Sequence, residues 1–415
     1  MLRRLINLFA GNGSNAEVGK TAINSLSNFY GRTNQSIYKG FRYGISDLLQ
    51  VTRKDLFCLT TRYFIDSQTA STEHTNFAPK SYLIPHHASE FRERYYAQNA
   101  NGDAKDFIVK PGNESQGNGI SLMSSASVLQ LKGGAAVQNV VSEYVQNPYL
   151  LLGHKFDFRL YATVMRIQTQ NNHIELRVYL HSEGLARFAS QEYDIINRDN
   201  AFIHLTNYSL NSCASDFREN DLSVQSQSVS KLRGPTLTSH KWRASDVWEY
   251  LENDQGVDTA PIKNDIQRVV AASVAMAFIV PIPESVHAKN IQDTSHSTFE
   301  LLGVDVIMDN LGNVHLLELQ HKPSLLASSP LDAHVKVKVF SELQTLLEEQ
   351  CPVKSGVICL SKDTSRFMKM YQRIRQAKGA ETESLSILRK QIMSRNQEEC
   401  YNTLLHSTAI QQIDY

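Results

Sequence analysis

Cysteine is scarce in this chain and follows no pattern. Cys58, Cys213, Cys351, Cys359 and Cys400 are scattered, odd in number and free of any C-x-x-C pair. That argues against a disulfide framework and a zinc site, and it points to a reducing compartment. An excess of either charge is also missing. Because 42 basic residues balance 42 acidic ones, no net field draws the molecule to nucleic acid or a membrane, and charge-driven recognition must be local. Long apolar runs are absent too. The longest, VVAASVAMAFIVPIP from Val269 to Pro283, stops at Pro281 after about a dozen residues, short of the roughly 20 that span a bilayer. It reads as a buried helix. The opening MLRRLINLFAG has an apolar face, but Asn12, Ser14 and Asn15 follow at once, so it does not read as a signal peptide. Glycine and proline, 20 and 11 in 415 residues, are too few for extended disorder.

What remains is a globular composition in a chain too long for one ordinary core and long enough for two or three contiguous domains. Residues 1–76 read as an N-terminal lobe, 77–152 as a central lobe, 153–350 as a larger C-terminal lobe and 351–415 as a helical basic tail. In the first, RKDLFCLTTRYF has helical spacing at Leu56, Leu59 and Tyr63. A strand at Ser81–Pro85 then leads into a helix at Ser89–Tyr96, with Ser89 as its N-cap.

The centre of the chain reads as strand, glycine-rich loop, strand: DFIVKP at 106–111, GNESQGNG, and ISLM at 120–123, with Ser124 or Ser125 opening the next segment. Val140–Tyr144 is another strand. Residues 156–167 and 175–188 resemble an antiparallel meander in which Phe156, Phe158 and Leu160 alternate with Asp157, Arg159 and Tyr161. Residues 192–239 are polar, with an exposed loop at 222–230, and helices resume at Ala244. The strands at 299–309 and 313–320 are joined by Asn310, Leu311 and Gly312, a hairpin signal that sets Asp305 against Glu318. Near the C-terminus, Phe367, Met370, Tyr371 and Ile374 give residues 362–378 a basic amphipathic pattern, suited to an acidic surface or simply to solvent.

Four blocks carry candidate chemistry. Lys110 ends a strand before a loop whose Gly112, Gly117 and Gly119 let backbone N–H groups approach phosphate oxygens; a plain glycine-rich hairpin fits the same residues. KFDFRLY at 155–161 projects Lys155, Asp157 and Arg159 from one strand face, as a functional row or as solvated charge. HLTNYS at 204–209 offers oxygens and an amide to phosphates or to a turn. The fourth block opposes Asp305 and Glu318 and adds Gln320 on the same strand face as Glu318. Hard oxygen ligands at this spacing suit Mg²⁺, and buried carboxylates need either a cation or an arginine beside them. A further pattern, GNGSNAEVGKT at 11–21, ends like a phosphate-binding Gly-Lys-Thr loop but has Ser14 where that loop needs its first glycine.

Taken in order, FIVKPGNESQGNGI, VVSEYVQNPYLLLGHKFDFRLY, GLARF, HLTNYSL, HKW and FELLGVDVIMD…LLELQHKPSLL resemble the successive signatures of the tubulin-tyrosine-ligase-like family. The resemblance covers roughly residues 50–345, and its Q-G-x-G-I loop is more similar to the family's polyglutamylases. It implies an α/β protein of the α+β kind with an ATP-grasp fold, in which ATP lies between the central and C-terminal lobes. In that frame Lys110 reaches the phosphates, Gln116 and Gly117 belong to the covering loop, and Ser142, Glu143, Tyr144 and Val145 form the hinge that holds adenine through its backbone. Lys155 and Asp157 are further nucleotide contacts, with Thr206 and Asn207 beside the phosphates. Asp305, Glu318 and Gln320 take the Mg²⁺ positions, and Arg187, Ser209 and Lys241 fall where the incoming amino acid binds. Arg159 supports phosphate or acceptor, so that Arg159, Arg187 and Glu318 form the implied catalytic set.

The implied reaction activates an acceptor carboxylate with ATP and joins it to a free amino acid, glutamate, on the acidic tails of tubulin or microtubules. Accessory subunits are further expected partners; nucleic acid and membrane are not. The implied location is the cytoplasm and cytoskeleton, including the cilium or basal body. Two positions depart from the pattern. Asn118 stands where the loop commonly carries Arg or Lys, and the metal strand reads Glu318, Leu319, Gln320 where E-V-N is common. These departures keep open a degenerate ATP-binding scaffold that holds tubulin or a sister subunit.

Overall fold

The computed structural model describes residues 41–66, 77–101, 105–111, 119–131, 139–168, 174–219, 237, 239–279, 297–325, 327, 329–348 and 357–359. Gln116, Gly117, the loop at 222–230 and the segments 11–21 and 362–378 lie outside these residues. The described chain opens with β1 (Phe41–Tyr43) and the helix α1 (Lys54–Asp66), which contains the residues whose spacing predicts it. A four-stranded antiparallel sheet follows, in the order β2–β5–β3–β4, from β2 (Ser81–Ile84), β3 (Asp106–Pro111), β4 (Ser121–Ser124) and β5 (Asn139–Glu143). Its Tyr82, Phe107, Val109 and Val141 pack with Phe91 of α2 (Ala88–Ala100).

Ser89 does not cap that helix. The turn begins earlier, where Ala88 N–H donates to Pro85 O at 3.1 Å and Phe91 N–H to His87 O at 2.9 Å, which places Ser89 inside the first turn. Ser124, by contrast, does cap the short helix Ser125–Val128, its hydroxyl accepting from Ser127 N–H at 3.3 Å.

The larger sheet comprises β1, β6 (Leu150–Leu151), β7 (His154–Gln168), β8 (Ile174–Leu180), β9 (Leu185–Phe188), β10 (Lys241–Arg243), β11 (Ser297–Met308), β12 (Val314–His321) and β13 (Val357–Cys359). Strand β7 is its spine. It pairs antiparallel with β11, with β8 along Ala162–Gln168 and with β9 along Phe156–Arg159. The expected meander is therefore two short strands sharing one long partner. Gly184 makes the change of strand possible, because a Cβ there would stand 2.8 Å from Arg159 O.

Both faces of this sheet are covered. Phe158, Leu160, Ala162 and Val164 join Trp248 of α3 (Ala244–Asn253) and Val269, Val270 and Val274 of α4 (Ala260–Ile279) in one core. Tyr161 and Met165, on the opposite face, pack with Leu331, Val335 and Val339 of α5 (Pro330–Glu348). Helix α4 contains the apolar run expected to be buried, and Val269–Phe278 is enclosed throughout. No helix among the described residues is long and apolar enough to cross a membrane.

Residues 41–66 are carried on both sheets. Strand β1 runs parallel to β11, with Phe41 opposite Ser297, and the Ile45 N–H donates to the fully buried Glu300 carboxylate at 2.8 Å. Ile45, Leu48 and Val51 enter the main core, each worth about 1.5–3 kcal/mol of burial. From α1, Arg62 reaches the small sheet, donating to Ser81 O at 3.1 Å and pairing with Glu90.

Candidate active site

The two sheets and this N-terminal segment enclose a cleft of about 1090 Å³, counted out to its solvent mouth. The small sheet contributes Ile108, Lys110, Val140, Ser142 and Glu143, and the chain leaving it adds Tyr144 and Val145. Opposite them stand Lys155, Asp157, Arg187, Thr206, Asn207, Asp305 and Glu318 from the larger sheet and its loops. Val51, Thr52, Lys54, Phe57 and Cys58 close a third side.

One end of the cleft is built around lysine. Lys155 is buried and its Nζ donates to Tyr144 Oη at 2.9 Å and to His204 O at 2.8 Å. His204 Nε2 faces Asn197 O at 2.9 Å, and a carbonyl can only accept, so Nε2 carries the proton and Nδ1 accepts from Tyr144 Oη at 3.0 Å. The chain of donors thus runs from Lys155 through Tyr144 and His204 to Asn197. Burial lowers the Lys155 pKa to about 7 against the pull of Asp157, and Lys110 lowers it further. Lys110 is also lowered by burial; Glu318, Asp305 and Asp157 pull it up, while Lys54 pushes it down. An arriving polyanion would favour the charged form of both amines.

Part of the backbone between Ser142 and Val145 is already bonded within the protein. Glu143 N–H already donates to Lys80 O at 2.8 Å and Tyr144 N–H to Asp106 O at 2.9 Å. The Glu143 side chain is taken by Arg94 at 2.7 Å and Lys105 at 3.0 Å. Of the two N–H groups beyond the strand, at Tyr144 and Val145, that of Val145 carries no hydrogen bond among the described residues.

At the other end, two rows of charge cross the larger sheet. Asp157 on β7, Arg187 on β9 and Lys241 on β10 are successive cross-strand neighbours, and Glu318 on β12, Asp305 on β11 and Arg159 on β7 form the second row. Arg187 donates to Asp157 at 2.8 Å from Nε and 2.5 Å from Nη2, and reaches across to Asp305 Oδ2 at 2.9 Å. Arg159 holds both Asp305 oxygens, one of them at 2.8 Å. Burial alone would raise the Asp305 carboxyl, but these guanidiniums outweigh it and hold its pKa at about 2. Despite burial, Asp305 raises Arg159, and Asp157 and Asp305 together raise Arg187. Gly303 on β11 keeps the crossing open: a Cβ there would crowd Pro323 at 3.1 Å and stand 3.6 Å from the Arg159 stem.

Asp305 and Glu318 line the cleft directly opposite one another, as the hairpin predicts. The turn is held by Asp309, whose Oδ1 accepts from Leu311 N–H at 3.0 Å and Asn313 N–H at 2.9 Å, with Gly312 at φ +85°. Two hard carboxylates on one wall fit Mg²⁺, which commonly takes one or two with phosphates and water completing the shell. Gln320 does not line the cleft; its amide donates to Glu318 Oε1. Arginines are what balance Asp305 among the described residues, the alternative its burial left open.

Other expected residues fall outside the cleft wall, and Arg159, bonded to Asp305, is one of them. Ser209 is exposed on the short helix Tyr208–Asn211. Lys241 is buried with Nζ 3.3 Å from both Asp332 oxygens and 3.7 Å from the centre of the Tyr208 ring. Lys54, His204 and Asp332 were not singled out by sequence reasoning, because helix starts and turn residues with such side chains are commonplace.

Mixed helices and antiparallel sheets around a lysine-and-carboxylate cleft define the ATP-grasp class. The profile of the tubulin-tyrosine ligase family matches residues 47–355, and the chain belongs to that family. It is 32% identical over 292 residues to a probable beta-tubulin polyglutamylase of Tetrahymena thermophila, covering 69% of this chain and 22% of the relative. It is 31% identical over 276 residues to the tubulin polyglutamylase TTLL5 of Mus musculus, covering 66% and 18%. A probable alpha-tubulin polyglutamylase, Ttll1, of T. thermophila is 28% identical over 309 residues, covering 71% and 66%. The chain thus spans about a fifth of the length of the first two relatives.

Proposed function

We propose that the chain is an ATP- and Mg²⁺-dependent ligase that joins glutamate to glutamate side chains of tubulin tails. The observation that carries this reading is the cleft, which sets the buried Lys155 and the half-buried Lys110, both with lowered pKa, in the same chamber as the opposed pair Asp305 and Glu318. Lys110 and Lys155 receive the nucleotide phosphates, and the Val145 N–H meets the adenine edge. A magnesium ion held by Asp305 and Glu318 would neutralise phosphate charge and polarise the transferring group.

An acceptor carboxylate oxygen attacks the γ-phosphorus of ATP, and the bond to the β,γ-bridging oxygen breaks to give an acyl phosphate and ADP. The donor amine, having given its ammonium proton to water, attacks the acyl carbon, and phosphate departs as the adduct's second N–H proton passes to water or the leaving phosphate and the amide forms. Arg159, bonded to Asp305, is assigned to offset charge developing on the phosphoryl group. Arg187 takes the donor carboxylate, supported by Lys241 on the next strand.

One observation favours a second reading, a tubulin-binding scaffold without ligase activity: Gln320 is bonded to Glu318 rather than placed on the cleft wall. Mass spectrometry of tubulin incubated with the purified chain, ATP, Mg²⁺ and glutamate, glycine or tyrosine separates the two. Glutamate addition by the parent, lost in Arg187→Ala while an ATP analogue still binds, supports the ligase. No addition of any amino acid overturns it.

A further inference from the structure

Three oxygens form a chain at the hinge edge of the small sheet, and its hydrogens can run only one way. The carbonyl of Pro79 has no hydrogen to give, so the Ser81 hydroxyl donates to it, at 2.9 Å. A hydroxyl has one hydrogen. The 2.8 Å contact between Ser81 Oγ and Ser142 Oγ therefore carries the proton of Ser142, with Ser81 accepting. Ser142 is left as an acceptor.

The strand register turns that oxygen to the cleft. Ser142 of β5 lies between Ser81 of β2 and Ile108 of β3, and all three line the cleft, while Val141 packs in the core behind the sheet. Three residues further on, the Val145 N–H carries no hydrogen bond among the described residues. An adenine that accepts this N–H at N1 brings its 6-amino group, the next substituent on the ring, against the end of β5. There Ser142 lines the cleft, and the Glu143 carboxylate is already taken by Arg94 and Lys105. An amino hydrogen suits an oxygen that can only accept. A 6-oxo group, as in guanine, would set lone pair against lone pair.

We propose that Ser81 is a positioning residue that sets nucleobase selectivity: by taking the Ser142 proton it fixes Ser142 as an acceptor, which favours a 6-amino over a 6-oxo purine. This inference rests on the reading of the cleft as an ATP site.

The test titrates three non-hydrolysable triphosphates by calorimetry into the full chain, Ser81→Ala, Ser142→Ala and the double variant. The triphosphates are analogues of ATP, of GTP and of purine riboside triphosphate, which lacks the 6-amino group but keeps N1. The parent should bind the ATP analogue about 3- to 10-fold more tightly than the purine analogue, the scale of one hydrogen bond. In Ser142→Ala that ratio should fall to about one. Ser81→Ala frees the Ser142 hydroxyl to turn and donate, so the preference for the ATP over the GTP analogue should drop by about 3- to 10-fold. The double variant should match Ser142→Ala, because Ser81 acts through Ser142.

Serines that merely support the fold would weaken all three analogues alike, and unchanged ratios overturn the proposal. So does a parent that binds the ATP and purine analogues equally. Should Ser81→Ala not fold, Ser81→Thr keeps the hydroxyl and should keep the parental ratios, and a loss of selectivity there counts against the relay. A parent that binds none of the three overturns the ATP reading and the relay together, whereas binding with unmoved ratios overturns the relay alone.

Discussion

Lys155 and Arg187 share one cleft, carry the same formal charge and are both buried, yet their surroundings push them in opposite directions. Burial dominates at Lys155, whose nitrogen faces a phenol, a carbonyl and a neighbouring lysine, and its pKa falls to about 7. At Arg187 burial is outweighed by Asp157 and Asp305, and the guanidinium is raised well above its ordinary value. The difference separates two kinds of cationic site. The lysine end has charge capacity in reserve for an anion that arrives, whereas the arginine end is already balanced and serves to hold geometry.

The most damaging way to break this contrast is Asp305→Asn. It leaves Arg159 and Arg187 buried with one counter-charge fewer, so unfolding in urea should show a loss of about 3–5 kcal/mol. Lys155→Met should behave oppositely. Replacing a desolvated amine with an apolar chain of similar length leaves stability unchanged or raises it, while ATP-analogue affinity falls about 10- to 100-fold in titration calorimetry.

Lys155 also gives a signed pH effect. Its folded pKa of about 7 lies below the 10.5 of a free lysine, so the unfolded chain binds more protons between those values and this group's share of stability rises with pH there. Anion binding raises the folded pKa, so analogue binding at pH 8 should take up protons, seen as a buffer-dependent heat that vanishes in Lys155→Met. The smallest effect is expected at Gln320→Asn. It shortens an amide off the cleft wall, and turnover should change by less than about fivefold, the scale of a part-exposed polar contact. A complete loss would place Gln320 in the site itself.

How much of this was legible in the sequence depends on how far apart the interacting residues lie. The opposition of Asp305 and Glu318 could be read because a short hairpin with Asn310 and Gly312 fixes its register locally. The strands at 106–111 and 140–144 and the buried helix ending near Ile279 were likewise carried by local pattern. The pairing of Asp157 with Arg187 was not readable: it depends on which stretch of β7 meets β9, which follows from the strand change at Gly184. Equally invisible was the fact that KFDFRLY carries no solvated face. Its charged side is enclosed by elements distant in sequence, and Lys155 and Asp157 are buried. The alternation of residues specifies two faces and says nothing of what covers them.

The bond from Ile45 N–H to Glu300 joins residues 255 positions apart, and among the described residues β1 pairs with β11 alone. At ribosomal rates of about 5–20 residues per second, roughly 13 to 50 seconds separate the synthesis of these two ends. During that interval Phe41 and Tyr43 lack the β11 register they pair with, and the Glu300 carboxylate that holds Ile45 N–H is not yet made. The apolar stretch at residues 41–51 therefore stays partly uncovered until β11 is made, and until then it is suited to a chaperone.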